Sequence, residues 1–392
     1  MKTKFKVPVS KPNPDFKGFM KGVSTAKKAS KVYPFEHFFD EEIKKVLVED
    51  YFRGSFVPAP HGLLMGNDLK ELLKIFNSID FKNQAEDYYK QSINLFYRLG
   101  YDFAVFNDFI FSYWGLLNNQ MSLAKDTALL SRGDRSWAQE GYGRIKSWKD
   151  FYDYPWKEVE HVINMSEHLL SHLSKYLPDG MKIGVMAVMF ENALEFLLGF
   201  NGFFLGVYDH PDLVKAVLEK LGESVLKYYN MVSQMDCVGF IIHGDDLGYK
   251  SSTMMSVEYL EANIFPWFKK FSLVAHKYGK PFWLHSCGKK DAIMETLIND
   301  IKIDGIHSFQ DNFYSITDYK QKYGDRITLL GGVDMDKLIR LEENELRKYL
   351  RNILEVCMKN GRYAFGTGNT VCNYLPLERY MIMREEEFNW NL

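Results

Sequence analysis

The sequence predicts an α/β protein, a (β/α)8 TIM barrel with a helical N-terminal extension, and three observations carry that expectation. Seven short apolar runs alternate with long amphipathic segments after residue 100, the rhythm of a parallel sheet covered by helices. Residues able to do chemistry gather at the C-terminal ends of several of those runs, where barrels place their sites. No G-x-G-x-x-G follows the first strands, so an open doubly wound sheet with one switch point fits less well. The expected organisation is one domain over 1–392, residues 1–100 forming the extension and 101–392 the barrel.

The extension reads as helical pieces joined by turns. "FDEEIKKVLVEDYF" from Phe39, "DLKELLKIFNSI" from Asp68 and "QAEDYYKQSINLFYRLG" from Gln84 repeat apolar residues at helical spacing, and Gly100 stands where a helix ends. The strands follow: "YDFAVF" from Tyr101, "KIGVMAVM" from Lys182, "VGFIIHGDD" from Val238, "PFWLHSCG" from Pro281, "DGIHSF" from Asp304, "ITLLGG" from Ile327 and "YAFGTG" from Tyr363. Between them, "HPDLVKAVLEKLGESVL" carries Pro211 in its first turn and an apolar face of Leu213, Val214, Val217, Leu218 and Leu221. "NELRKYLRNILEVCMKNG" puts Cys357 on a leucine stripe, which makes that thiol a core residue, and Cys237 is likewise assigned to packing.

Composition narrows the function classes. The chain has 392 residues, 46% of them hydrophobic, with 49 basic and 51 acidic side chains and a formal net charge of −2. No global field invites nucleic acid or an anionic membrane, so small molecules or particular protein surfaces are the expected partners. Four scattered cysteines do not make a disulfide framework, and no run of membrane-spanning length appears. A soluble, cytoplasmic protein with reduced thiols is expected, and a homodimer is allowed.

The stretch "FWLHSCGKKD", residues 282–291, sets the central question. On a strand, His285 and Cys287 project to one side while Ser286 turns away. Imidazole and thiolate on one rigid strand end suit zinc, which favours such ligands in a tetrahedral site. The other reading is a histidine bonded to backbone beside a half-buried thiol. On these residues alone both stand.

The segment "HSCGKKDAIMETLINDIKIDGIHSFQ" resembles the H-x-C-G region of the uroporphyrinogen decarboxylase superfamily, in its cobalamin-dependent methyltransferase branch, which includes the methylcobalamin:coenzyme M methyltransferases. The similarity extends through "NPDFKGFMKG", "IKSWKDFYDYPW", "HGDDLGYKSSTMMSVEYLEANIFPWFKKF", "LLGGVDMDKLI" and "GTGNTVCNYLPLERYMIM". The resemblance implies a barrel with a zinc centre at its C-terminal mouth. It would move a methyl group between a corrinoid (methylcobalamin) held by a separate corrinoid-binding protein and a thiol, folate, or methoxylated or methylated small molecule. No D-x-H-x-x-G cobalamin segment is present here, in keeping with a separate carrier.

On this reading His285 and Cys287 are metal ligands with Cys372 as the third. In the coenzyme M enzymes that ligand follows the glycine of a late G-C-G segment, a position that falls near Thr367 or Asn369 in this sequence. His243, Asp246, His307 and Glu191 are reserve ligands. Asp246 and His243 are the candidate catalytic residues, and Asp245, Gln310 and Asn369 the candidate substrate contacts. The alternative is a metal-independent decarboxylase or lyase of the same fold. It is disfavoured because the R-Q-A-G-R arginine cluster of uroporphyrinogen decarboxylases is absent, and Arg53 stands alone in "YFRGSF".

Overall fold

The computed structural model describes residues 3–27, 31–60, 74, 75, 77–107, 121–131, 134–138, 141 and 143–392. All seven expected strands form, each within its quoted run except the first, which extends one residue past it to Asn107. They are β1 (Phe103–Asn107), β4 (Lys182–Ala187), β5 (Val238–Gly244), β6 (Phe282–His285), β7 (Gly305–His307), β8 (Thr328–Leu330) and β9 (Tyr363–Ala364). They pair in parallel in the order β1-β4-β5-β6-β7-β8-β9. A separate antiparallel hairpin, β2 (Met121–Lys125) with β3 (Asp134–Ala138), lies between β1 and β4 in the chain. Helices make the crossovers, as parallel pairing requires. Pro211–Ser233 precedes β5, Phe265–Lys277 precedes β6 and Glu343–Cys357 precedes β9, the last with Cys357 fully buried.

The sheet curls in the manner of a TIM barrel, and its interior is filled with rings. Phe103 of β1, Phe240 of β5 and Trp283 of β6 pack with Phe35, at centroid distances of 5.6 Å for Phe35 and Phe103, 5.8 Å for Phe35 and Trp283, and 4.3 Å for Phe240 and Trp283. Phe103 also meets Phe240 across β4, at 5.1 Å, a contact between non-adjacent strands that a curled sheet favours.

The N-terminal hundred residues differ in part from the helical extension expected. Helices at Glu41–Val46 and Ile79–Arg98 match two of the predicted pieces; "DLKELLKIFNSI" lies largely outside the described residues. Residues 33–39, however, run along the far edge of the sheet. Parallel bridges join Pro34 to Phe365 and Phe39 to Val371, and Phe35 N donates to Phe365 O at 2.8 Å. Apolar rings in "VYPFEHFF" explain the choice, because a helix there would leave many of them facing water. Among the described residues the ladder itself contains seven strands, and this bridged segment lies beside the last.

Candidate metal centre

The site is built where the loops after β5 and β6 meet. Strand alternation decides which side chains enter it. In register, Gly244 of β5 lies beside His285 of β6 and His243 beside Leu284, so His285 and Gly244 share the inner face while His243 faces outward. Asp246 continues the inner series and Asp245 the outer one.

The outer pair is fully buried and fully engaged. His243 Nε2 lies 2.8 Å from Asp245 Oδ2, and His243 Nδ1 lies 2.9 Å from Tyr229 Oη. The Asp245 carboxylate accepts from the backbone N–H of Met189, Phe190 and Glu191. The His243 ring sits 4.5 Å from that of Phe268 in the helical layer. The structure thus places His243 and Asp245 behind the sheet, fastening the loop after β4, and not in the catalytic and substrate-contact roles expected of them. Reading "HGDD" as one cluster overlooks the alternation that separates its members.

The inner face holds the chemistry. His285 Nε2 and Cys287 Sγ are 3.7 Å apart, although Cys287 lies past the end of the strand. An Asp246 oxygen completes a group of three possible ligand atoms, all within 4.8 Å of one another. Asp246 is fixed there because its Oδ1 accepts from Cys287 N at 2.6 Å. Ser286 turns away, its hydroxyl accepting from Leu247 N at 3.0 Å. Two glycine backbones bring the loops together: a Cβ on Gly288 would meet Gly248 C at 2.3 Å, and Gly288 has φ +72°. Lys289 N then donates to Tyr249 O at 2.9 Å.

Two further residues touch the Cys287 sulfur. Ser308 Oγ donates to it at 3.4 Å and Asn369 Nδ2 at 3.5 Å, so Asn369, expected to bind substrate, lies in the cluster. Gln310 is exposed in the next turn after β7 and lines a narrow pocket with Lys290, Ser308 and Phe313. Cys372 is held elsewhere. Its neighbour Val371 donates through N to Phe38 O at 3.1 Å and accepts from Asp40 N at 2.9 Å, which pins that loop to the 38–40 segment. Among the described residues its thiol joins no group of converging ligand atoms.

Beneath His285 lies a second layer. His285 Nδ1 and His307 Nδ1 are 2.7 Å apart, and His307 Nε2 lies 3.1 Å from Thr367 O. His37 stacks at 4.5 Å from His285 and 4.7 Å from His307, its Nδ1 buried without a hydrogen-bond partner. Glu36 is completely buried and accepts from Thr367 N at 2.8 Å, with Thr367 Oγ1 also bonded to it. Sequence reasoning missed both Glu36 and His37. Two polar residues inside the aromatic run "YPFEHFF" were the available signal, obscured by reading that region as helical.

Burial sets the charge states. It pushes the Cys287 thiol up to about 12, with the Asp246 charge adding to the effect, and pulls His285 down to about 4. Glu195 rises to about 7 through burial and the negative charges of Asp246 and Asp245. Glu191 is also raised, by burial and the charges of Asp246, Asp245 and Glu195. Lys290, buried, falls to about 8. A neutral imidazole beside an excess of carboxyls is an environment that accepts a cation.

The fold is a curled, barrel-like α/β sheet with a candidate metal centre at the carboxyl end of its strands. A family model for uroporphyrinogen decarboxylase (URO-D) matches residues 149–386, more than half of the sequence, and the chain belongs to that family. No curated protein matches it. Among solved structures, a methyltransferase from Methanosarcina mazei aligns with a TM-score of 0.56 and 13% identity, over 84% of this chain and 93% of that chain. That likeness shows the fold. A B12-independent methionine synthase from Shewanella sp. W3-18-1, in complex with selenomethionine, aligns at TM-score 0.43 and 10% identity, over 83% of this chain and 89% of that one. A putative vitamin-B12-independent methionine synthase from Listeria monocytogenes gives 0.42 and 14%, over 92% and 99%. The last two are too distant in shape to bear on function.

Proposed function

We propose that the protein is a zinc-dependent methyltransferase moving a methyl group between a corrinoid on a separate protein and a thiol, folate, or methoxylated or methylated small molecule. The observation that carries this reading is the convergence of His285 Nε2, Cys287 Sγ and an Asp246 oxygen within 4.8 Å, in a chain of the URO-D family. The Methanosarcina mazei structure of the same fold is described as a methyltransferase, which supports the reaction class.

The residues fit the ion. Nitrogen, sulfur and carboxylate oxygen are donors zinc accepts, and three protein ligands leave a fourth position open. Asp246 takes the third place that Cys372 was expected to fill. When bound, zinc supplies positive charge that keeps a coordinated thiol deprotonated or draws electron density from the heteroatom of a methyl donor. The remaining work falls to the protein. Ser308 and Asn369 donate to the Cys287 sulfur and limit how strongly it pushes charge onto its partner. Glu195, its pKa raised to about 7 by burial and by the charges of Asp246 and Asp245, can hold or release a proton near neutral pH. Burial of His285 and His307 keeps bulk water from the inner side of the cluster.

Metal analysis tests the reading. Purified protein is expected to carry one equivalent of zinc that is lost in Cys287→Ser, and turnover of a methyl-corrinoid is expected in the cobalt absorption spectrum. Full zinc retention by Cys287→Ser would refute the ligand set.

A further inference from the structure

We propose that His307 is a positioning residue that decides which of two overlapping ligand clusters takes the cation; this rests on the metal reading of the site given above. Two groups of potential ligands share His285: Asp246, His285 and Cys287 above it, and His37, His285 and His307 below. A carbonyl oxygen can only accept, so the contact of His307 Nε2 with Thr367 O at 3.1 Å places a proton on that nitrogen. Neither hydrogen-bond partner of His307 is a carboxylate, and the ring is fully buried. It is therefore neutral, and its Nδ1 carries a lone pair.

The 2.7 Å contact between the two Nδ1 atoms then has one consistent proton placement. His285 Nδ1 must donate to His307 Nδ1. That leaves His285 Nε2 bare and aimed at Cys287 Sγ, 3.7 Å away. The same bond disarms the lower side: the His285 nitrogen that faces His307 carries a proton and the His307 lone pair is occupied, so of His37 and His307 only His37 has a nitrogen to spare. The cation is directed upward to the thiol. Outer partners that set the tautomer of a ligating histidine commonly change metal affinity about 10–100-fold.

The test uses the full chain. Spectra of wild-type protein labelled with ¹⁵N-histidine are expected to show His285 protonated at Nδ1 and bare at Nε2. Titration with cobalt(II) is expected to give a thiolate-to-cobalt charge-transfer band at one equivalent. His307→Phe, which cannot accept the proton, should weaken cobalt binding about 10–100-fold, while His307→Asn, which returns an acceptor near the Nδ1 position, should restore most of it. Simple loss of packing would not be rescued by asparagine. Cobalt binding in His307→Phe as tight as wild type, or a His285 protonated at Nε2, would overturn the proposal. If His307→Phe does not fold, the wild-type tautomer decides the matter. A correct tautomer without any thiolate band would instead sink the metal reading, and the selecting role with it.

Discussion

A single carboxyl, Glu36, shows how burial becomes a measurable pH effect. The Thr367 hydroxyl has one proton and faces two acceptors, Glu36 Oε2 and Asn369 O. A protonated Glu36 resolves the conflict by donating, and burial raises its pKa to about 8. Because the folded value lies above the ordinary value of 4.5, this group's stabilisation is complete below that value and disappears as pH rises through about 8. Its contribution to the slope is about 1.4 kcal/mol per pH unit between them. Glu36→Gln should remove that slope, giving a variant more stable than wild type above pH 8 and similar near pH 4.5. Urea midpoints of the two chelator-treated proteins across this range check the expectation.

Asp246 gives a second test at this scale. Asp246→Asn keeps a side-chain oxygen that can accept from Cys287 N, so the loop should hold its shape, but the amide NH2 cannot ligate. The substitution is expected to lose more than about tenfold in zinc affinity, about 1.4 kcal/mol, with an unchanged circular dichroism spectrum. An unaltered affinity in a chelator competition would remove Asp246 from the ligand set. His285 and Cys287 were legible as a pair because a two-residue spacing on a strand is a local fact. Asp246 was legible only as a reserve ligand, and Glu36 and His37 not at all, since only loop contact and strand order bring the three beside that pair.

Among the elements, the strands were read well because each is a short apolar run bounded by polar turns, and β5 and β6 are buried throughout. What the sequence hid was the face each residue takes once the strand stops. His243 and Asp246 lie in one tetrapeptide yet serve opposite sides of the sheet. The loops after β5 and β6 depend on each other through Gly248 and Gly288. Gly288→Ala adds a methyl group 2.3 Å from Gly248 C at a φ of +72°. It should destabilise the fold by about 1–3 kcal/mol and lower zinc affinity by separating Asp246 from Cys287. Thermal unfolding and zinc competition, performed together, test both effects; an alanine variant with wild-type behaviour in each would show that the loops tolerate separation.

For the molecule as a whole, the segment at residues 33–39 matters most. Phe35 is fully buried among Phe103, Trp283 and His307. Phe35→Ala should cost about 3–5 kcal/mol in guanidinium unfolding, by cavity formation in the ring-filled interior. The predicted helical extension missed this segment because its partners lie at the other end of the chain, beyond any local pattern. No helix among the described residues is long and apolar enough to cross a membrane.

That distance has a consequence during synthesis. Glu36 bonds to Thr367, 331 residues later, and at about 5–20 residues per second the ribosome delivers the second partner about 20–60 s after the first. Throughout that interval the nascent chain carries Tyr33, Phe35, Phe38 and Phe39 without the strand that will shelter them. Until the segment around Thr367 emerges, those rings are a target for chaperones that bind exposed apolar surface.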